Sequence, residues 1–200
     1  MVLIFLDQSE GTIKKSSLEA ASYGAAIAKQ MDTTADAIVL GNVTDDLSSL
    51  GKYGIKKVHK VTSAALDHMD AQVFTQIITE AAIANNATVI VLSNNFNGKA
   101  IAPRLSVRLR AGLVSGAVAL PDTNNGFIVK KNVFSGKAFA NVAVNTAIKI
   151  IALNPNSYQI QTTEGSAEVV DFSTSVPTAK VQVTNTNKIV GEVPLSEAEI

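Results

Sequence analysis

Thr88-Val-Ile-Val-Leu-Ser93-Asn-Asn-Phe-Asn-Gly98-Lys99 passes abruptly from apolar to polar. An apolar run without alternation suits a strand buried on both faces, and such strands belong to parallel sheets covered by helices. The polar loop then opens a helix predicted over 99–110, with Pro103 in its first turn and Gly112 as a left-handed cap. Upstream, Asp67 or Asp70 can cap a long helix that runs to Asn85. Its apolar positions Val73, Phe74, Ile77, Ile78, Ala81 and Ala82 keep helical spacing.

Working outward, residues 2–6 (Val-Leu-Ile-Phe-Leu) form a first buried strand, ended by Asp7. A helix over 16–31 follows, capped by Ser16 or Ser17, with Leu18, Ala21, Ala25 and Ala28 as a stripe of small residues. Residues 35–40 read as a second strand, 46–53 as a short helix closed by Gly54, and 57–61 as a third strand. The order is β-α-β-α-β-α-β-α, which calls for a mostly parallel sheet with right-handed crossovers. After Gly112 come four strand-like runs, at 113–120, 127–134, 138–144 and 147–153, separated by short breaks. Such breaks predict antiparallel hairpins. The expected fold is an α/β three-layer sandwich, Rossmann-like, extended by antiparallel strands in its C-terminal half. Polarity rises from Pro155. Residues 1–155 are therefore read as the α/β domain and 156–200 as an extended arm. The alternating run Ala179-Lys-Val-Gln-Val-Thr184 is the place in that arm for one strand.

The chain has 200 residues, of which 46% are hydrophobic, enough for one domain with a sizeable core. It has no cysteine, which excludes disulfides, Fe–S clusters and thiol catalysis. Seventeen basic residues balance seventeen acidic ones, so nothing marks a nucleic-acid binder. No apolar run approaches the roughly 18 residues of a spanning helix, and the N-terminus lacks a signal h-region. The chain is expected to be soluble, cytoplasmic and not inserted in a membrane. Mean hydropathy is +0.22 with only 17% charged residues, which fits either a large buried sheet or a partly apolar partner surface.

Catalytic constellations are sparse. There is no GxGxxG and no GxxxxGK[ST]. Asn97, Gly98 and Lys99 open a helix after a central strand and could hold an anion; an ordinary strand-to-helix turn has the same composition. His59 and His68 are the only histidines, too few for a metal centre or a catalytic dyad, and read as structural or surface groups. Asp45-Asp46 suits a solvated helix start. Gly112-Leu-Val-Ser115-Gly116 is one residue out of step with a nucleophile elbow. Arg104 and Arg108 share a helix face at i,i+4, either as a partner-binding stripe or as a solvated face.

Residues 98–115, Gly-Lys-Ala-Ile-Ala-Pro-Arg104-Leu-Ser-Val-Arg-Leu-Arg-Ala-Gly112-Leu-Val-Ser115, resemble the GKD-(L/I)-x-PR helix and GLxSD block of electron transfer flavoprotein alpha subunits. Lys131-Asn-Val-Phe-Ser-Gly136-Lys-Ala is similar to that family's R-x-(I/V)-Y-A-G-N-A hairpin. Gly11-Thr-Ile-Lys14 is similar to its G-x-(I/L)-K turn, and Val193-Pro-Leu-Ser-Glu-Ala-Glu-Ile200 to the stretch before its VVSGGRG loop. Ala100, Gly116, Lys131, Phe134 and Asn154 depart from the family's polar residues.

The resemblance implies the N-terminal domain of an alpha subunit, a non-catalytic platform that pairs with a beta subunit. It implies FAD on a C-terminal domain following Ile200 and no cofactor, AMP included, on this chain alone. It implies an electron carrier of bacterial type, receiving electrons from dehydrogenases, as in fatty acid oxidation, and passing them to a quinone reductase of the respiratory chain. Arg104 and Arg108 would then face the neighbouring subunit or domain. A different class stays open: a stand-alone adenine-nucleotide-binding module of universal-stress type, whose glycine pattern is not found here.

Overall fold

The computed structural model describes residues 1–185. Its elements are β1 (Val2–Leu6), β2 (Gln8–Ser9), β3 (Thr12–Ile13), α1 (Lys15–Gln30), β4 (Ala35–Leu40) and β5 (Lys57–Val61), followed by α2 (Ala71–Ala84), β6 (Val89–Ser93) and α3 (Phe96–Leu109). Then come β7 (Gly112–Ala117), β8 (Ile128–Val133), β9 (Ala138–Ala143), β10 (Lys149–Leu153) and β11 (Glu168–Asp171). Nine strands form one sheet in the order β11-β5-β4-β1-β6-β10-β7-β8-β9, while β2 and β3 make a separate ribbon. The first seven strands in that order are parallel. The β8–β9 hairpin is antiparallel and meets β7 at the single pair Ala117–Lys131. The expected α/β sandwich with an antiparallel extension is what forms.

Each central strand sends alternate side chains to two separate cores. Val2, Ile4, Leu6, Val89 and Val91 pack with Tyr23 and Ile27 of α1, and with Phe127, Val129 and Val144 from the hairpin region. Leu3, Phe5, Ile90 and Leu92 pack with Ile77 and Ile78 of α2 and Ile101 and Leu105 of α3. One face thus carries two helices. The other carries one helix, a 3₁₀ segment (Leu47–Tyr53) and the hairpin. Tyr23 ties α1 to the chain after β7: its hydroxyl donates to the Ala119 carbonyl at 2.8 Å.

Several details depart from the sequence-based expectation. The run at 147–153 is not antiparallel. As β10 it inserts between β6 and β7, parallel to both. The break at Asn145-Thr146 looks like a hairpin, but Ile150-Ile-Ala-Leu153 is buried on both faces, as a central strand must be. Helix α3 begins at Phe96 because Asn95 caps it, accepting from the Gly98 amide at 2.8 Å. Pro103 therefore sits inside the helix, beyond the first turn. The left-handed cap is Arg110, at φ 49°. Gly112 opens β7 instead, where a Cβ would lie 2.6 Å from Val144 Cγ1. Neither Ser16 nor Ser17 caps α1; Lys14 holds that position without a side-chain cap. The strand after residue 155 is Glu168–Asp171, which joins the main sheet parallel to β5 at its edge, and the described run at 179–184 is not a strand. Residues 193–200, which carry the last part of the resemblance, lie outside the described residues.

Candidate functional site at the strand carboxyl ends

Crossovers from β1 lead one way, to β4 and β5, and then the other way, to β6. The switch falls between β1 and β6, and ligands of open α/β sheets bind in that crevice, outside the strand carboxyl ends. Here the crevice is spanned by Asp7, the residue that closes β1 and is only 5% exposed. Its carboxylate accepts from Lys14 Nζ at 2.8 Å, from Asn95 Nδ2 at 2.9 Å and from Asn97 Nδ2 at 3.0 Å. Its backbone carbonyl accepts from the Ser17 hydroxyl at 2.9 Å. One carboxylate therefore joins β1, the start of α1 and the start of α3.

A second polar chain lies beside it, across β6, β10 and β7. Ser115 Oγ donates to Asn94 Oδ1 at 2.9 Å, and Asn94 Nδ2 donates to Asn154 Oδ1 at 2.8 Å. Glu19 of α1 accepts from the Asn156 amide at 2.7 Å. Burial pushes the Glu19 carboxyl above its ordinary value, opposed in part by that amide and by Lys15.

Two clefts flank these networks. One, of about 600 Å³, is lined by Asp7, Lys14, Asn42, Asp67, His68 and Met69 among others. The other, of about 480 Å³, includes Asn95, Phe96, Lys99, Asn132 and Asn154. Asn132 Oδ1 is buried there without a hydrogen-bond partner.

The loop residues Asn97, Gly98 and Lys99 are thus placed at the crevice, in different roles. Asn97 binds Asp7, the Gly98 amide is taken by Asn95, and Lys99 is exposed. Gly98 is pressed onto the end of β6, so that a Cβ would fall 1.8 Å from the Ser93 carbonyl oxygen. A helix start whose amide is capped internally and whose neighbour is a carboxylate does not fit a flavin pyrophosphate, which needs free amides and positive charge. Arg104 and Arg108 are both exposed on α3, and Arg104 Nη1 turns back to the Ala100 carbonyl at 2.6 Å.

His59 is buried against Asp36 of the adjacent strand, Nε2 to Oδ2 at 3.3 Å, and stacks edge-on with Phe172. It is a structural group, as expected; His68 is exposed. Asp45 accepts from the Ile13 amide and Asp46 caps the 3₁₀ segment. Among the described residues no group of three or more acidic or histidine side chains could hold a metal. No described helix is long and apolar enough to cross a membrane. Sequence reasoning missed Asp7 as the hub. The available signal was an acid closing a doubly buried strand, opposite a loop rich in asparagine.

The chain matches a family described as "Electron transfer flavoprotein domain" over residues 2–177. It is 26% identical, over its full length, to the electron transfer flavoprotein subunit alpha of Bacillus subtilis, covering 62% of that protein. It is 23% identical to Protein FixB of Clostridium saccharobutylicum, again over its full length and 62% of the relative. A subunit named LctC of a lactate dehydrogenase (NAD(+),ferredoxin) from Acetobacterium woodii is 22% identical and covered to 49%. The chain thus spans about three-fifths or less of the length of these relatives. The family match covers most of the sheet, both polar networks and β11, and on that ground this chain belongs to the electron transfer flavoprotein domain family.

Proposed function

We propose that this chain is the N-terminal platform domain of an alpha-type subunit in an electron carrier. It pairs with a beta-type subunit and supports an FAD domain, while electrons pass from dehydrogenases towards a quinone reductase. It carries no catalytic group of its own and works in the cytoplasm. Residues 156–200 are the arm that leads from the platform to the flavin domain. Full-length alignment with an alpha subunit that is longer than this chain carries the proposal.

One observation weighs against the rival class, a stand-alone adenine-nucleotide module. At the crevice where a nucleotide phosphate would sit, the Gly98 amide is already taken by Asn95, and Lys14 is neutralised by Asp7. The rim of α3 supplies the partner contact: Arg104 and Arg108 are exposed, and Phe96 and Val107 are 86% and 79% exposed on the same helix.

The test is co-expression with a beta-type electron transfer flavoprotein subunit, followed by light scattering, beside calorimetric titration with AMP and ATP. A one-to-one complex, weakened about tenfold or more by Arg104→Ala with Arg108→Ala, is the expected result. Nucleotide binding without assembly would reverse the assignment in favour of the rival class. Full assembly of the double variant would remove α3 from the interface.

A further inference from the structure

The main sheet ends in β11 on one side and in β9 on the other, and the two edges are built differently. β11 is four residues long and carries Glu168 and Asp171 at its ends, paired with Lys57 and Lys60 of β5 at 3.3 and 3.4 Å. Shortness and charge are the usual guards of an edge strand. β9, Ala138-Phe-Ala-Asn-Val-Ala143, is six residues long. No charged residue, proline or glycine lies between Lys137 and Lys149. Among the described residues no strand pairs with its outer side.

The hydrogen bonding settles which groups face outward. The Val144 amide donates to the Phe127 carbonyl at 2.8 Å, while Ile128 and Lys130 of β8 bond away from β9, to Asp122 and Val118. Val129 stands opposite Val142, Lys131 opposite Ala140 and Val133 opposite Ala138. Successive residues of an antiparallel strand turn their backbone groups to opposite sides. Ala138, Ala140 and Val142 therefore bond to β8, and the amides and carbonyls of Phe139, Asn141 and Ala143 point out of the sheet. The side chains of these three residues are exposed as well, Phe139 to 59%. Lys130 sits over the Phe139 ring at 4.2 Å and holds it on that face.

This edge is complementary to a second copy of itself. Two β9 strands laid antiparallel about a two-fold axis at Asn141 set Asn141 opposite its twin and Phe139 opposite Ala143. In that register every outward residue meets an outward residue, and each pair exchanges both of its backbone bonds. A large ring meets a methyl group, and two side-chain amides meet each other. Lys137 falls opposite Asn145, so no like charges face one another. A register centred on Ala140 would instead set Ala143 against Lys137, outside the strand.

We propose that β9 is a dimerisation edge, which joins two copies of this chain through Phe139, Asn141 and Ala143 into one continuous sheet. The contact is isologous and closes at two copies. It uses none of the α3 residues assigned to the partner subunit above, and it stands whether or not that assignment holds. One strand pair buries little area, so the dimer is weak and depends on concentration.

Sedimentation of the 200-residue chain between about 1 and 300 µM tests the edge. The parent passes from monomer to dimer across that range. Asn141→Lys and Asn141→Glu each place like charges opposite one another at the axis and move the transition about fivefold or more to higher concentration. Position 141 is exposed, so both variants melt as the parent does. An equimolar mixture of the two restores the dimer, because lysine then faces glutamate. Hydrogen–deuterium exchange reads the same contact. The amides of Phe139, Asn141 and Ala143 slow about tenfold from the monomeric to the dimeric concentration, while those of Ala138, Ala140 and Val142 are protected throughout. A parent that stays monomeric overturns the proposal, and so does a dimer that both single variants retain. A mixture that fails to recover overturns the axis at Asn141. Protection of the three outward amides only on adding a beta-type subunit gives the edge to that subunit and overturns self-pairing.

Discussion

Two polar networks sit side by side at the carboxyl ends of the strands and differ in kind. Around Asp7, one buried carboxylate gathers an ammonium and two amides from the starts of two helices. Across β6, β10 and β7, a chain of neutral groups runs from Ser115 through Asn94 to Asn154. The charged network is closed, with its donors converging on a single group. The neutral network is linear and borders a cleft; one buried oxygen without a partner lies there, Asn132 Oδ1, and another, Ser93 Oγ, closes β6 between the two networks. A buried charge must be fully surrounded by partners, whereas a buried amide can end a chain at modest cost. The difference assigns rigidity to the β1–β6 side and leaves adaptability to the β10–β7 side, next to exposed Phe96 and the hairpin tip at Phe134.

The strongest way to break the contrast is at Gly98. An added Cβ meets the Ser93 carbonyl at 1.8 Å, and backbone cannot rotate aside as a side chain does. Gly98→Ala should lower unfolding stability by about 3 kcal/mol or more, measured by urea titration. A loss under about 1 kcal/mol would mean that the α3 start slides freely off β6.

Next in size is a paired comparison. Asp7→Ala leaves Lys14 and two amides without their acceptor and should cost about 2–3 kcal/mol, below the roughly 3–5 kcal/mol of a fully buried pair, because Lys14 is partly exposed. Asn154→Ala removes one neutral link and should cost about 1 kcal/mol. Equal losses in the two variants would erase the distinction between the networks.

The smallest effect concerns pH. The folded pKa of Glu19 is raised by burial, so the folded chain holds that proton more tightly than the unfolded chain. Its contribution to stability is therefore present at low pH and falls as pH rises from the ordinary carboxylate value to the raised one. Glu19→Gln should flatten the stability profile in that window, read by thermal melts at several pH values. An identical slope in both proteins would place the titration elsewhere.

The parallel half of the fold was legible because burial on both faces writes itself as unbroken apolar runs. Residues 2–6 match β1 to the residue, and 35–40 and 57–61, although interrupted by Asp36 and by Lys57, His59 and Lys60, match β4 and β5 as well. Where local signals compete with long-range pairing, the sequence misleads. Asn145-Thr146 has the length of a hairpin turn, yet β10 pairs with β6 and β7, because its side chains fill both cores. The alternating run at 179–184 has strand periodicity but pairs with no strand, and the edge of β5 is taken by β11. At the site, the polar loop after β6 stood out by its place at a strand end, with an anion site and an ordinary turn both open. Its partner Asp7 did not, because no pattern in one sequence links two residues 88 positions apart.

The insertion of β10 also dictates an order of events during synthesis. Until Leu153 has emerged, β6 and β7 are both edges with unpaired amides and carbonyls, and they cannot close on each other without leaving out their future neighbour. The nascent chain therefore carries two incomplete half-sheets, one ending in β6 and one made of β7 and the β8–β9 hairpin, until β10 joins them. That interval of exposed edges is an aggregation hazard, and truncation anywhere before β10 should yield aggregates, read by light scattering, in place of a smaller fold.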